Sequence, residues 1–160
     1  MLSQLSEHFT LAEFCATQHR GIDNALPADL LPAARDTCAM LERIRAHLAR
    51  YAAREVPVHI SSGYRCPALN AAVGGATSSD HMRAMAVDFT VPAAGLPHEI
   101  ALSLEPMVDV LGIGQLIQEF ATADGGGWVH ISTRRQPNPA NRVITIDRSG
   151  TRTGICLPAR

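Results

Sequence analysis

The sequence predicts an α+β fold, with helices at the amino-terminal end packed on a small, mainly antiparallel sheet. Up to Arg50, apolar residues recur every three or four positions, which is the period of a helix with one buried face. From Val56 onward they alternate with polar or small residues, as in a half-buried strand. The chain has 160 residues and no internal repeat or linker, so we expect one domain over residues 1–160 with a single hydrophobic core.

Three helices are predicted. The T-x-x-E sequence at residues 10–13 is a capping box and indicates a short helix over residues 11–17. Prolines flank the start of a longer helix, which begins within residues 27–32 and runs to about Arg50 with its arginines facing water. A further helix is expected over residues 97–111, and its internal proline should divide it because proline lacks a backbone N–H.

Alternation of apolar with polar or small side chains predicts five strands. Residues 64–80, rich in Gly, Ala, Ser and Thr, should be mostly loop with a helical turn near residues 68–72, and a loop of that length in a small domain is usually functional. A flexible tip over residues 121–127 joins the third and fourth strands as a hairpin, and a loose tail should follow Gly150. The predicted strands are residues 56–60, 85–91, 115–120, 128–133 and 142–147.

Charge and hydropathy exclude several classes of partner. Fourteen basic residues, all of them arginine, oppose fifteen acidic ones for a net charge of −1, so the chain has no basic field for a nucleic acid. No apolar run approaches the roughly 18 residues of a membrane span, and 46% hydrophobic residues is too many for a disordered chain. Residues 1–8 lack the basic and apolar regions of a secretory signal, so we expect synthesis in the cytoplasm with no signal peptide.

The cysteines do not form a metal-binding pattern. Cys15, Cys38, Cys66 and Cys156 include no C-x-x-C pair, which argues against a structural zinc site made of thiolates. Two disulfides are possible in principle. The lack of an export signal favours reduced thiols that serve as small core residues.

Two histidines and an aspartate form a candidate metal site. His81 ends the glycine-rich loop, Asp88 lies on the polar face of the next strand, and His130 lies on the second strand of the hairpin. Two imidazoles and one carboxylate suit a catalytic zinc, because three protein ligands leave a fourth position open to water. Spacing alone does not single them out, since the chain has seven histidines, and a histidine near a strand end is commonly only hydrogen-bonded.

Five short segments strengthen this site when they are taken in order. They are H-F-T-L-A-E-F (residues 8–14), S-S-G-Y-R-C-P (61–67), G-G-A (74–76), S-D-H through A-V-D (79–88) and W-V-H-I-S (128–132). The series resembles the zinc D-Ala-D-Ala carboxypeptidase family, in particular its small single-domain members from bacteriophage endolysins and bacterial cell-wall enzymes. The resemblance covers about residues 5–133 and implies the hedgehog/DD-peptidase-like version of an α+β fold.

The resemblance implies roles for five residues. His81, Asp88 and His130 would be the ligands of one zinc ion per chain. Arg65 would engage the substrate, and a guanidinium does suit a peptide carboxylate or carbonyl beside a metal. An internal salt bridge is the alternative role for Arg65. Ser79 would shape the loop by hydrogen bonding at the substrate-binding site.

Two positions depart from the family pattern. The glycine that usually follows the first histidine by three residues is Ala84. The acidic residue that many members carry three positions before the last histidine is Gly127, so the general base must come from elsewhere. Glu119 is the first candidate, because the small phage-type members resemble this chain in carrying Q-L-I-x-E-F there, and Asp124 is the second. A solvated surface position is the alternative for both, and a one-residue shift of the hairpin register would turn Glu119 away.

The implied activity is zinc-dependent hydrolysis of peptide bonds in the stem or cross-bridge peptides of peptidoglycan, of the endolysin or D,D-carboxypeptidase/endopeptidase type. We expect a monomer that acts on the cell wall, and release by a separate holin would explain the missing signal peptide. Two alternatives stay open. One is a non-catalytic module that binds cell-wall peptides or serves as a phage structural component, which the absence of an acid at Gly127 favours. The other is a cytoplasmic dipeptidase that acts on free D-amino-acid dipeptides.

Overall fold

A six-stranded sheet forms the centre of the fold in the computed structural model, which describes residues 4–158. The strands are β1 (His59–Ser62), β2 (Ala86–Thr90), β3 (Gln115–Glu119), β4 (Trp128–Ser132), β5 (Val143–Asp147) and β6 (Gly150–Thr153). They lie in the order β1-β2-β4-β3-β5-β6. Every neighbouring pair is antiparallel except β3 and β5, which are parallel. The predicted α+β class with a mainly antiparallel sheet is confirmed.

Five α-helices lie in the described part of the chain. They are α1 (Leu11–Phe14), α2 (Leu31–Ala52), α3 (Pro67–Ala72), α4 (Pro97–Leu104) and α5 (Val108–Leu111). Short 3₁₀ helices lie at Ala28–Leu30, Asp80–Arg83, Glu105–Met107 and Pro139–Asn141. α4 packs against β3 and β4, and α2 packs against α4 and α5. Over residues 4–158, the helices are all too short or too polar to cross a membrane.

The hydrophobic core lies between the helices and one face of the sheet. Successive strand residues point to opposite faces, so Val87 and Phe89 of β2 are buried on the same side as Val129 and Ile131 of β4. The residues between them point to the other face, which carries the polar side chains of the site. The helix residues that close the core are Leu41, Ile44 and Leu48 of α2 and Ile100 and Leu104 of α4.

The first helix is shorter than expected. α1 has the predicted capping box, in which the Thr10 hydroxyl accepts from the Glu13 N–H at 3.2 Å, but it ends at Phe14 rather than at residue 17. The helix is capped at Cys15, and the side chain of Asn24 donates to the carbonyl oxygen of that residue at 3.0 Å. This contact supplies a partner for one of the carbonyls that a helix end leaves without an intrahelical bond.

The other predicted helices are confirmed. α2 runs two residues past Arg50, and Ala53 then adopts the left-handed conformation (φ 53°) that commonly ends a helix. The segment 97–111 is divided around Pro106 into α4, a 3₁₀ turn and α5. The helical turn expected near residues 68–72 is α3.

Two details of the predicted sheet are corrected by the structure: the start of the first strand and the state of the tail. The first strand begins at His59 rather than at Val56, since its pairing with β2 starts at the register His59↔Thr90. The tail after Gly150 is not loose, since β6 pairs with β5 from the register Asp147↔Gly150 onward. All four residues of β6 are exposed, so no alternating apolar pattern marks this strand in the sequence.

The four cysteines are free thiols in the structure, as expected. Cys38 is fully buried in the core, and the other three are half-buried. Burial raises the pKa of the Cys38 thiol to about 12. A thiol with so high a pKa is unreactive, so Cys38 serves packing.

Candidate metal centre

His81, Asp88 and His130 meet on the sheet side opposite the hydrophobic core. Asp88 of β2 and His130 of β4 are register partners, so their side chains project next to each other from that face. His81 comes from the 3₁₀ turn Asp80–Arg83, which precedes β2 and is capped by Ala84. Strand pairing and this turn therefore bring together residues that lie 7 and 42 positions apart in sequence.

The three side chains place their polar atoms close enough to share one ion. Nε2 of His81 is 3.2 Å from Oδ1 of Asp88 and 3.2 Å from Nδ1 of His130. That His130 nitrogen is 2.7 Å from the same Asp88 oxygen. All three residues are buried, and together they form a group that could hold a metal ion.

A hydrogen bond from Nδ1 of His81 fixes the ring so that Nε2 faces the site. Nδ1 lies 2.7 Å from the carbonyl oxygen of Gly63, which can only accept, so Nδ1 carries the proton and donates it. Nε2 of the neutral ring then presents its lone pair to Asp88 and His130. Histidines that bind zinc typically donate their other ring N–H in this way. Two imidazole nitrogens, one carboxylate oxygen and this orientation fit zinc.

Burial and close pairing shift the pKa of each group. Burial lowers the pKa of His81 and favours its neutral form. Burial raises the pKa of Asp88, but the close pairing of its carboxylate with His81 and His130 outweighs burial and holds this pKa well below its usual range. Burial lowers the pKa of His130, but the hydrogen bond with Asp88 and its charge raise it overall. An ionised Asp88 and a neutral His81 are the forms that bind a metal.

The loop that supplies the Gly63 carbonyl is held by backbone contacts and one buried side chain. Tyr64 donates its N–H to the Phe14 carbonyl at 2.8 Å, and a Cβ on Gly63 would lie 2.3 Å from the same oxygen, so only glycine fits. Asn24 donates to the Tyr64 carbonyl at 2.8 Å and accepts from the Cys66 N–H at 2.7 Å. Sequence reasoning missed Asn24, because a single loop asparagine gives no local signal of a contact 40 residues away.

Arg65 and Ser79 flank the metal-ligating group. Nη2 of Arg65 is 2.5 Å from Oδ2 of Asp88, and its Nε donates to the Ser62 hydroxyl at 2.8 Å. The internal salt bridge is therefore present, and the same side chain also lines the cleft above the group. Ser79 caps the 3₁₀ turn, because its hydroxyl accepts from the His81 N–H at 3.3 Å.

Glu119 lies in the same cleft. Its register partner is Trp128, and the partner of His130 is Ile117, two residues before Glu119 on β3. Because alternate strand residues share a face, Glu119 points to the same side as Ile117 and His130. Burial and the charge of Asp88 raise the pKa of Glu119. The hairpin register thus turns Glu119 toward the group rather than toward solvent.

The hairpin loop leaves no room for a side chain at residue 127, where the resemblance leads one to expect an acid. Gly127 has a φ of 84°, and a Cβ there would lie 2.4 Å from the carbonyl oxygen of Glu119. An acidic side chain has no room at this position. Asp124 is exposed, its carboxylate accepts from the Thr122 hydroxyl at 2.5 Å, and it lies outside the cleft.

Ala84, the other departure from the family pattern, occupies a position that favours glycine. Its φ is 57°, in the left-handed region, which costs a residue with a Cβ roughly 1–2 kcal/mol. The Thr37 hydroxyl donates to the Ala84 carbonyl at 2.8 Å. Burial of the alanine methyl group and this hydrogen bond offset the strain.

The metal-ligating group and Glu119 open into one cleft of about 920 Å³. Its volume lies within the usual range for a small-ligand site. Besides these residues, its walls carry the arginines Arg65, Arg83 and Arg134 and the apolar residues Ile117, Phe120, Trp128 and Ile146.

Comparison with known proteins gives one family match. The family model described as peptidase M15 matches residues 7–131. The matched segment contains His81, Asp88 and His130 together with Glu119, and it ends before β5. No curated protein sequence matches the chain.

Proposed function

The chain belongs to the peptidase M15 family of zinc D-Ala-D-Ala carboxypeptidase-like proteins, and from this premise we propose that it hydrolyses peptide bonds of bacterial peptidoglycan. Family membership implies a zinc peptidase with a peptide substrate. The cell-wall substrate, the endolysin or D,D-carboxypeptidase type and a monomer that acts at the wall are our proposal. It rests on the convergence of His81, Asp88 and His130 beside Glu119 in one cleft.

We assign one zinc ion per chain to His81, Asp88 and His130. When bound, zinc supplies Lewis acidity, which polarises a carbonyl group and lowers the pKa of water to about 7. Arg65 holds Oδ2 of Asp88, so that Oδ1 faces the two histidines. The Gly63 carbonyl fixes the ring of His81. Three protein ligands leave room for water and substrate, as in catalytic zinc sites.

Glu119 is the proposed general base. Its carboxylate takes a proton from the attacking water as the water oxygen bonds to the scissile carbonyl carbon. The proton then passes to the leaving amine nitrogen as the C–N bond breaks. A raised pKa suits both steps, because a group that accepts and then returns a proton works best with a pKa near the operating pH. Burial and the charge of Asp88 raise the pKa of Glu119 in this direction.

Arg65 is the proposed substrate-positioning residue. Ser62 and Asp88 engage two of its nitrogens and so fix the plane of the guanidinium. The remaining N–H donors are available to a carbonyl or carboxylate of the substrate near the scissile bond. Ser79 contributes by holding the 3₁₀ turn that carries His81.

Digestion of purified sacculi tests the proposal. Wild type should release soluble muropeptides, and mass spectrometry of these products identifies the bond that is cut. Glu119→Gln should keep its zinc and release no product. Asp124→Asn is the matched control, because it neutralises an exposed carboxylate of the same hairpin outside the cleft, and it should behave as wild type. The proposal is refuted if wild type releases nothing, or if Glu119→Gln releases as much as wild type.

A non-catalytic module that binds cell-wall peptides is the second candidate. The absence of an acidic residue at position 127 favours this module, since the family resemblance leads one to expect a catalytic acid there. Binding of wild type and Glu119→Gln to sacculi, with no product from either, would support this module. A dipeptidase would instead cleave soluble D-amino-acid dipeptides and leave sacculi intact.

A further inference from the structure

Two arginines at one end of the cleft have no part in the proposed hydrolysis. Arg83 ends the 3₁₀ turn that carries His81, and Arg134 follows β4. Both line the cleft, and their side chains are 47% and 46% exposed. Each reaches the carboxylate of Asp80, at 3.3 Å from Arg83 and 3.5 Å from Arg134.

Asp80 does not neutralise this pair. One carboxylate faces two guanidinium groups, and each makes a single long contact with the same oxygen. Arg65, the third arginine of the cleft, is by contrast matched by Asp88 at 2.5 Å. Arg83 and Arg134 therefore carry one unmatched positive charge, and most of their N–H donors have no acceptor within residues 4–158. A carboxylate is the ligand that such a pair of guanidiniums favours.

The backbone of both arginines is held in place. The Ser132 hydroxyl donates to the Arg134 carbonyl at 3.3 Å, and the same carbonyl packs so closely on Gly114 that a Cβ there would lie 1.8 Å away. The Thr37 hydroxyl donates to the carbonyl of the residue after Arg83 at 2.8 Å. A site whose backbone is already ordered loses less entropy when it binds a ligand.

The strand register places Arg134 at the far end of the cleft from Glu119, and Arg83 lies near Arg134 because both contact Asp80. Trp128 begins β4 and pairs with Glu119, whereas Ser132 ends β4, two residues before Arg134. His130 lies between them. A peptide whose scissile bond lies at the metal-ligating group therefore extends toward the arginines on one side and toward Trp128 on the other.

We propose that Arg83 and Arg134 form a carboxylate-binding subsite that makes acidic peptides the preferred ligands of the cleft. This inference rests on the proposed peptidase function and gives the cleft a polarity, with a substrate carboxylate held on one side of the scissile bond. In a stem peptide, that carboxylate belongs either to an acidic residue or to the C-terminus. Both present the same chemistry to the two guanidiniums.

A fluorescence titration distinguishes the two sources. Trp128 is the single tryptophan of the chain and lines the cleft, so its emission reports binding. Zinc-loaded Glu119→Gln, in which cleavage should be lost, is titrated with a stem pentapeptide, with the same peptide amidated at its glutamate, and with the same peptide amidated at its C-terminus. One of the two amides should bind at least about tenfold more weakly than the free acid, as expected for loss of a charged hydrogen bond.

Substitutions in the same background test whether the arginines cause this preference. Arg83→Gln and Arg134→Gln should each remove most of the preference for the acidic peptide. Arg134→Lys should keep part of this preference, since lysine keeps the positive charge but lacks the planar guanidinium. Arg135→Gln is the matched control, because it removes the same charge from the next residue, which is 81% exposed and outside the cleft. It should keep the full preference. Circular dichroism checks that each variant is folded.

Three results would overturn the subsite: equal binding of all three peptides, no binding of any of them, or an equal loss of preference in Arg135→Gln. Sacculus digestion by the otherwise wild-type protein is scored separately. Muropeptide release without a preference for the acidic peptide rejects the subsite and leaves the peptidase proposal in place. Selective binding of the unamidated peptide, without any muropeptide release by the otherwise wild-type protein, rejects the peptidase proposal and leaves the subsite in place.

Discussion

The carbonyl oxygen of Glu119 lies 2.4 Å from the place where a side chain on Gly127 would begin. The family resemblance leads one to expect the catalytic acid at the position of Gly127. In this chain the neighbouring strand of the hairpin brings a carboxylate to the cleft instead, through the register pair of Glu119 with Trp128. The backbone of Glu119 thus excludes an acid at the usual position, while its side chain faces the metal-ligating group.

Gly127→Ala should destabilise the protein strongly. The added Cβ would meet backbone atoms of both Glu119 and Ala121 within 2.5 Å, at a residue whose φ is 84°. We expect the free energy of unfolding, measured by urea denaturation, to fall by about 2–4 kcal/mol. Gly74→Ala is the control, since its φ is also positive but no atom lies within 4 Å of its Cβ position, and it should cost about 1 kcal/mol. Equal losses in the two variants would contradict the steric argument.

Removal of any one proposed ligand should abolish stoichiometric zinc binding. His81→Ala, Asp88→Ala and His130→Ala each take one donor atom from a buried three-residue group, which leaves too few ligands for tight binding. Metal analysis of the purified proteins measures the zinc content. His19→Ala is the matched control, because this exposed histidine lies outside the cleft and should leave zinc content unchanged. Full zinc retention in any of the three ligand variants would exclude that residue as a ligand.

The candidate site was predictable where local patterns determine it. The strand period of two puts Asp88 on the polar face of β2 and His130 on the matching face of β4. The direction of the Glu119 side chain was not predictable, because the hairpin register depends on the conformation of the loop. In that loop Phe120 has a φ of 50°, and Gly127 packs directly on the backbone of residues 119–121. No local sequence pattern specifies that register.

The features that the sequence missed depend on contacts between distant segments. β6 is exposed throughout and is held by its ladder with β5, so it has no hydrophobic period to detect. Asn24 joins α1 to the loop that follows β1 through side-chain hydrogen bonds. Such a bond leaves no trace in the composition of either segment. Propensity and periodicity therefore predict elements, but not the single polar side chains that connect them.

Asn24→Ala should weaken both the fold and the metal site. The change removes three hydrogen bonds, to Cys15, Tyr64 and Cys66, and leaves their backbone groups unpaired. We expect a loss of about 2–4 kcal/mol in the free energy of unfolding, together with weaker zinc binding in a competition with a chelator, because the Gly63 carbonyl that orients His81 belongs to the same loop.

Asn138→Ala provides the comparison for Asn24→Ala. Its side chain is exposed and accepts one hydrogen bond, from the Ala140 N–H at 3.0 Å, so its removal should cost about 1 kcal/mol and leave zinc affinity unchanged. If Asn24→Ala bound zinc as tightly as Asn138→Ala, the loop would not support the metal site.

Glu42, a residue of α2, binds the amino-terminal segment through hydrogen bonds. Its carboxylate accepts from the Ser6 hydroxyl and the His8 N–H, each at 2.7 Å, and Nδ1 of His8 lies 2.9 Å away. Burial raises the pKa of Glu42, but the hydrogen bonds from Ser6 and His8 outweigh burial and hold the pKa below its ordinary value of 4.5. The ionised form is therefore favoured in the folded state.

This shift predicts how stability should depend on pH. A carboxyl whose pKa is lower in the folded than in the unfolded state stabilises the fold above the unfolded pKa, and this contribution is lost as pH falls through the folded pKa. Glu42→Gln should therefore be less stable than wild type at pH 7, by about 1–2 kcal/mol. The difference in urea unfolding free energy should shrink as pH falls below 4.5, the ordinary value for this group. Glu55→Gln, which alters a carboxylate that is 81% exposed, should match wild type within about 0.5 kcal/mol at every pH. A constant gap between Glu42→Gln and wild type from pH 7 to pH 3 would mean that its hydrogen bonds, and not its charge, hold the segment.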